Sequence, residues 1–433
     1  MAKTMSIDTD DGSNGARHDV SQLLARSAAD DARPERRVAA AVAQLSQPAD
    51  MRLDDRTRAR VGATTSRIIL AVESDLRAQA GRALAARDAP DLALVVADAG
   101  TGGAIEALLL DAGLFAHPEF VADLVARATQ DLLAEALPMT APSHPDQPSL
   151  LARLSASPDG AVAAAAMALL AADARRRTAQ DGSSVARPDR RTDLRAELQH
   201  MIVWRVAAAL CLHVAQRLGM VPAAVDRALT DAAQRSLAAH DESDGLEAAA
   251  LHLAVAIGAN AEELPDLLVE SIADRQLALF IALIAHATAI SYDMARDLVL
   301  DPVADRLWLA LRALDLNRDA VARIGLALCE ADPRRDVDAF ADQLATIAAI
   351  AVDAARAAMA PMRRHPDFRA AMIAVARGVQ AGAGAGLGDA AGGAIGSGGG
   401  LDWDRGAGEG SGADRGQDWG RDGRSDLGRG RDA

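Results

Sequence analysis

Between Leu194 and Leu218 the apolar residues Leu194, Leu198, Ile202, Val206, Leu210, Val214 and Leu218 recur at every fourth position. That spacing stacks side chains along one face of an α-helix. From Met201 to Leu212 the sole charged side chain is Arg205, and a helix apolar on nearly every side packs at the centre of its bundle. Gly219 then closes this helix and Pro222 opens its successor, because glycine accepts a left-handed turn at a helix end and proline has no N–H to lose at a helix start.

The same boundary signals recur along the chain. Gly258 is followed by Asn260 with Glu263 three residues on, a capping-box pattern; Ser291 precedes Tyr292 and Asp293; and Asp301-Pro302 predicts an N-cap followed by proline in the first turn. Upstream, from Val20 to Ala172, helix-length apolar stretches are broken by Pro34, Pro48, Pro90, Gly100 to Gly103, Gly113, Pro118, Pro138 and the cluster from Pro142 to Pro148. Ser149 to Leu154, Pro158-Asp159-Gly160 and Ala161 to Leu170 predict a capped helix, a tight turn and a second helix. No stretch alternates convincingly as a strand does, so the expected class is all-α.

These patterns divide the chain into five stretches. Residues 1–19 are polar and residues 378–433 hold 20 of the 34 glycines; both lack the apolar periodicity needed to offset ordering entropy and are expected to be disordered. Residues 20–172 are expected to form a HEAT-like array of helical hairpins, and residues 173–192 an arginine-bearing linker. Residues 193–377 are expected to form a helical bundle or superhelix. Within that last region Phe280 to Ala285, followed by Asp293 to Arg296, is echoed by Trp308 to Ala313, followed by Asp319 to Arg323. The repeat spans about one helical hairpin, which favours a stacked arrangement.

The region from Asp193 onward resembles a family of uncharacterised helical proteins from alphaproteobacteria, a conserved domain of unknown function with HEAT-like N-terminal portions. The likeness rests on Trp204 to Leu210, on the aromatic helices at Phe280 and Trp308 with Asp301-Pro302 between them, and on Met362 to Phe368. It implies a helical fold and carries no activity, cofactor or catalytic residue with it.

Composition narrows the picture. Half the residues are apolar, only 2% are aromatic and 103 are alanine, so the core must come from thin helices packed closely. Lysine occurs once, at Lys3, which removes Walker, Schiff-base and kinase-type lysines from the folded part. The net charge of −15 disfavours nucleic acid and anionic lipid as partners. Cys211 and Cys329 have no CxxC spacing and read as structural thiols of a reducing compartment. No uninterrupted apolar run reaches the roughly 18 residues of a membrane span, and the polar start lacks the apolar segment of a secretory signal. The expected location is cytoplasmic.

Reactive chemistry is sparse in the sequence. The nine histidines include no HExxH; a calcium-loop match ending at Asp244-Gly245 fails because His240 and Leu251 occupy positions that must be acidic. Asp241, Glu242 and Asp244 instead suit a helix start. There is no GxSxG elbow, and Gly382 to Gly388 follow a helix where a phosphate cradle needs a strand before it. No catalytic residue, metal site or cofactor is expected.

A few residues carry sharper ideas. His200, on the most apolar helix, is the candidate phosphoacceptor of a histidine phosphotransfer or signalling protein, although no acidic residue follows it. Arg205 is paired, snorkelling or waiting for an anionic partner, and His286 reads as a core or edge histidine. Trp204 and Trp308 suit the core or a partner groove. The linker arginines Arg175, Arg176, Arg177, Arg187, Arg190 and Arg191 raise nucleic-acid binding as a weaker alternative. Interleaved aspartates and the lack of nearby aromatics oppose it. The leading expectation is a non-enzymatic scaffold or adaptor that binds another protein, with Trp204, Arg205 and Trp308 as candidate interaction residues. That expectation presumes that no reactive side chains converge, and an enclosed cavity where several ionisable groups meet at bonding distance would overturn it.

Overall fold

The computed structural model describes residues 53–98, 103–138, 148–180 and 192–365, together with 367–369, 371, 372 and 375. The expectations for residues 1–19 and 378–433, for Pro34 and Pro48, and for Arg187, Arg190 and Arg191 lie outside the described residues. Among those described the protein is all-α, with sixteen α-helices and no strand. In order they are α1 (Asp55–Ala85), α2 (Pro90–Ala97), α3 (Ala104–Asp111), α4 (Pro118–Ala136), α5 (Leu150–Ser155), α6 (Gly160–Gln180), α7 (Ala196–Leu218) and α8 (Ala223–Ala238). The second half holds α9 (Leu246–Ile257), α10 (Leu264–Ala273), α11 (Leu277–Thr288), α12 (Tyr292–Leu300), α13 (Asp305–Ala313), α14 (Arg318–Ala331), α15 (Val337–Ala349) and α16 (Val352–Met359).

Most boundaries follow the local chemistry read from the sequence. Gly219 ends α7 at φ 76° and Pro222 caps α8. Asn260 accepts from Glu263 N at 3.0 Å while Glu263 accepts from Asn260 N at 3.3 Å, a reciprocal capping box. Ser291 accepts from Met294 N at 3.2 Å and starts α12. Asp301-Pro302 departs from expectation: Asp301 turns its carboxylate onto Val303 N at 3.1 Å, and α13 begins only at Asp305, after Ala304 at φ 60°. The aspartate therefore closes a turn in the loop and does not cap the helix. The segment expected to be a linker also begins as helix, since α6 continues to Gln180.

Two apolar cores form within one compact unit that runs to Arg369. The first gathers α1, α2, α3, α7 and α8 with Phe120, Leu124 and Ala128 from the first half of α4. The second gathers α5, α6 and α9 to α16 with Leu133 and Leu137 at the end of α4. Each core draws helices from both sides of residues 173–192, and α4 belongs to both. The helices before that segment range from 6 to 31 residues, so the HEAT-like array expected there shows no repeating unit of fixed length.

Helix α7 is central to the first core, as its apolar periodicity predicts: Leu198, Ile202, Val206, Leu210 and Val214 are each at most 2% exposed. Fully burying such side chains contributes about 1.5–3 kcal/mol apiece. Among the described residues it is also the one helix long and apolar enough, by length and composition, to cross a membrane, and half of that stretch is buried within the protein. Arg205 interrupts its apolar run. The pairs α11–α12 and α15–α16 with its following turn reach that length only together, and bend by 118° and 103° at their joints.

Candidate functional site

A groove of about 1720 Å³ lies between α4 and the loops that precede α13 and α15. Its floor is aromatic. Trp308, on α13, and Phe340, on α15, are buried and lie 4.9 Å apart between ring centroids. The far edge of Phe340 rests on the backbone of α14 at Gly325, where an added Cβ would sit 2.0 Å from the ring. Glycine is required inside this helix because the ring occupies the place of a side chain. Phe115 at 46% and Val303 at 69% leave apolar surface exposed along the rim.

Charge on the rim is arranged by the two loops. Both loops carry the pattern Asp-Pro-x-x-Asp, as Asp301-Pro302-Val303-Ala304-Asp305 and Asp332-Pro333-Arg334-Arg335-Asp336. Arg334 grips Asp332 through two hydrogen bonds of 2.9 Å. Burial disfavours the Asp332 carboxylate, yet the hydrogen bonds from Arg334 outweigh it and hold the group below the ordinary aspartate range. Arg335 is buried, donates from Nη2 to Val299 O at 2.6 Å and keeps Nη1 without a partner. With Asp54, Asp297, Asp301, Asp305 and Asp336 also on the lining, the rim bears more acidic than basic side chains.

A second cluster lies where α4 joins the two cores. Asp123 binds Arg127 at 2.7 Å, Arg127 approaches Glu247 at 3.7 Å, and Glu247 binds Arg296 at 2.7 Å. Arg296 continues to Asp293 at 2.6 Å. Beside this chain Arg176 pairs with Asp131 at 2.8 Å, and Gln130 donates to the Tyr292 hydroxyl at 3.1 Å. Helices α4, α6, α9 and α12 bring these ionisable groups together as a packed lattice of ion pairs, from residues too far apart in sequence for local pattern to reveal. Burial opposes the charge on Glu247, but Arg127 and Arg296 outweigh it and keep the carboxyl below its usual range. Burial likewise opposes charge on Arg127, where Glu247 and Asp123 prevail and raise it. Burial raises the Tyr292 hydroxyl out of reach of neutral pH. These three groups therefore hold fixed protonation states near neutrality, which suits a charge lattice that fastens helices and does not suit proton transfer.

The residues singled out in the sequence do not form one site. Trp308 forms the groove floor in the second core, whereas Trp204 packs half-buried against the first. His200 is exposed, and its Nε2 accepts the Trp204 indole N–H at 3.1 Å, so that lone pair is engaged. Arg205 is half-buried and makes no ion pair among the described residues. His286 is exposed at the edge of α11. Arg175 donates to Asp244 O at 2.8 Å and Arg176 is buried against Asp131, whereas Arg177 stays exposed and pairs with Asp173 along its own helix. Asp241 caps a short turn through Ser243 N at 2.9 Å, and Glu242 accepts from Ala196 N at the start of α7. Cys211 and Cys329 are free, and burial raises both thiols. Among the described residues no group of three or more histidine, cysteine, aspartate or glutamate side chains is placed to hold a metal ion.

Phe115, Val303, Arg334 and Phe340 were not singled out by sequence reasoning. The repeated Asp-Pro-x-x-Asp pattern marks the two rim loops and with them Val303 and Arg334, whereas Phe115 and Phe340 lie outside it. No family model matches the chain, and no curated protein or solved structure matches it.

Proposed function

We propose that the protein is a helical adaptor whose Trp308 groove receives an amphipathic helix from a protein partner, with basic residues flanking the partner's apolar stripe. The observation that carries this reading is the groove itself, apolar along its floor and edged by more acidic than basic side chains. An α-helix laid in an apolar groove anchors through residues at i, i+3, i+4 and i+7, and flanking arginines or lysines complement an acidic rim. The exposed Phe115 and Val303 supply the apolar lip that a docked helix covers. Two free thiols, one associated with each core, support a reducing cellular compartment. Kinship with the uncharacterised alphaproteobacterial helical family is proposed on Trp204 to Leu210 and the helices bearing Phe280 and Trp308.

The test uses an amphipathic peptide of about 15 residues, long enough for four helical turns, carrying a leucine stripe and flanking arginines. A scrambled peptide of the same composition is the control. Fluorescence anisotropy with the full chain is expected to show saturable binding of the patterned peptide, weakened about tenfold or more by Val303→Glu, a change of at least ~1.4 kcal/mol. Equal binding of the scrambled peptide, or undiminished binding by the variant, would remove the groove from the account.

A further inference from the structure

A separate cavity of about 600 Å³ opens beside α4, bounded by Thr64 and Arg67 of α1, Arg176 of α6, and Thr192 and Gln199 before and within α7. It is independent of the Trp308 groove. Arg176 is nine-tenths buried; its Nη2 holds Asp131 at 2.8 Å while its Nη1, on the same guanidinium, has no hydrogen-bond partner. A buried N–H of a charged group left without an acceptor is costly, and native structures rarely leave one so. Arg67 lies near enough to Arg176 to repel it. Burial and that repulsion together pull Arg67 below the ordinary arginine range. The one hydrogen bond of Arg67 is a long 3.4 Å donation to the Thr64 hydroxyl, and it forms no ion pair among the described residues.

The remaining charges on the walls are spoken for. Asp75, Asp131, Asp241 and Asp244 all have partners of their own. Arg127 is bound to Asp123, and Arg175 to a backbone carbonyl. That leaves two neighbouring guanidinium groups with unused donors against Asp193. The Thr64 hydroxyl stands beside them, that of Thr192 is donated to Gln199, and Ile68 and Ala71 give the cavity an apolar side.

We infer that this cavity is a binding site for a small organic oxyanion, a carboxylate or a phosphate, whose oxygens accept from Arg67 and from Arg176 Nη1. The planar, multi-donor guanidinium suits either oxyanion. Occupancy relieves the repulsion between the two arginines and satisfies the orphaned donor in one step. The apolar side accommodates the carbon body that a carboxylate or phosphate ester carries.

Thermal unfolding of the full chain, titrated in separate arms with inorganic phosphate and with succinate against sodium chloride at matched ionic strength, tests the site. Saturable stabilisation by phosphate alone identifies a phosphoryl ligand, by succinate alone a carboxylate; stabilisation by both supports the shared oxyanion chemistry. Arg67→Gln removes no ion pair, so the variant is expected to fold with an unligated midpoint equal to or above that of the parent. Its apparent affinity is expected to fall by about tenfold or more, the loss of a charge-assisted hydrogen bond, while Arg67→Lys recovers part of it. Neither anion exceeding chloride, or undiminished binding by Arg67→Gln, would overturn the assignment.

Discussion

Gly325 shows how one residue sets the floor of the groove. Phe340 lies where its side chain would be, so Gly325→Ala must push the ring out of its place against Trp308. Alanine gains up to about 1 kcal/mol of helix propensity over glycine, but overpacking costs about 1–3 kcal/mol. The expected outcome is net destabilisation in denaturant titration with altered tryptophan emission; unchanged stability and emission would show that the ring yields freely. Glu247 is the second decisive residue, because it lies between Arg127 and Arg296 and joins the Asp123 pair to the Asp293 pair. Glu247→Gln removes the charge shared by Arg127 and Arg296 while Asp123 and Asp293 remain on them, so it is expected to destabilise by less than the roughly 3–5 kcal/mol of a buried pair wholly broken. Its folded pKa lies below the ordinary value of 4.5, so its ionised form contributes stability above that pH and loses it as pH falls through the folded value. The gap in stability between parent and Glu247→Gln should be widest near neutrality and close in acid; a gap independent of pH would contradict the assigned charge.

Helix boundaries were legible where one residue settles one backbone group. Gly219, Ser291 and the Asn260–Glu263 pair fall where the sequence placed them because each satisfies donors or a turn within a few residues of itself. Asp301-Pro302 was misread because the same aspartate can cap a helix or close a turn, and only the packing of α13 decides. Asp336 makes the true cap on the groove side, accepting from Asp338 N at 2.9 Å and Ala339 N at 3.0 Å. Replacing it with alanine should cost about 1 kcal/mol and speed amide exchange in the first turn of α15. Protection unchanged there would mean that Phe340 packing alone holds the helix start.

At the scale of the whole molecule, sequence pattern conveyed the helical class but hid the joining of helices. Alternation and caps report on neighbours in sequence, whereas Arg127, Glu247 and Arg296 find each other only through the fold. The groove was half legible: Trp308 was singled out, but its partner Phe340 sits on a helix whose pattern gives no hint of an exposed concavity. Because α4 contributes to both cores, the two are expected to unfold together. Trp204 reports on the first core and Trp308 on the second; with Trp403 and Trp419 replaced by phenylalanine, single-tryptophan variants should share one denaturation midpoint, and separated midpoints would divide the unit in two.

The most direct measurement of the central claim is photocrosslinking in living cells from a reactive residue placed at position 303, on the lip of the groove, with the crosslinked peptides sequenced. The adaptor account predicts attachment to one defined segment of another protein, apolar along one helical face and basic at its flanks, and loss of that product when Phe115 is changed to glutamate. Crosslinks confined to this chain's own residues, or scattered over unrelated segments, would contradict it.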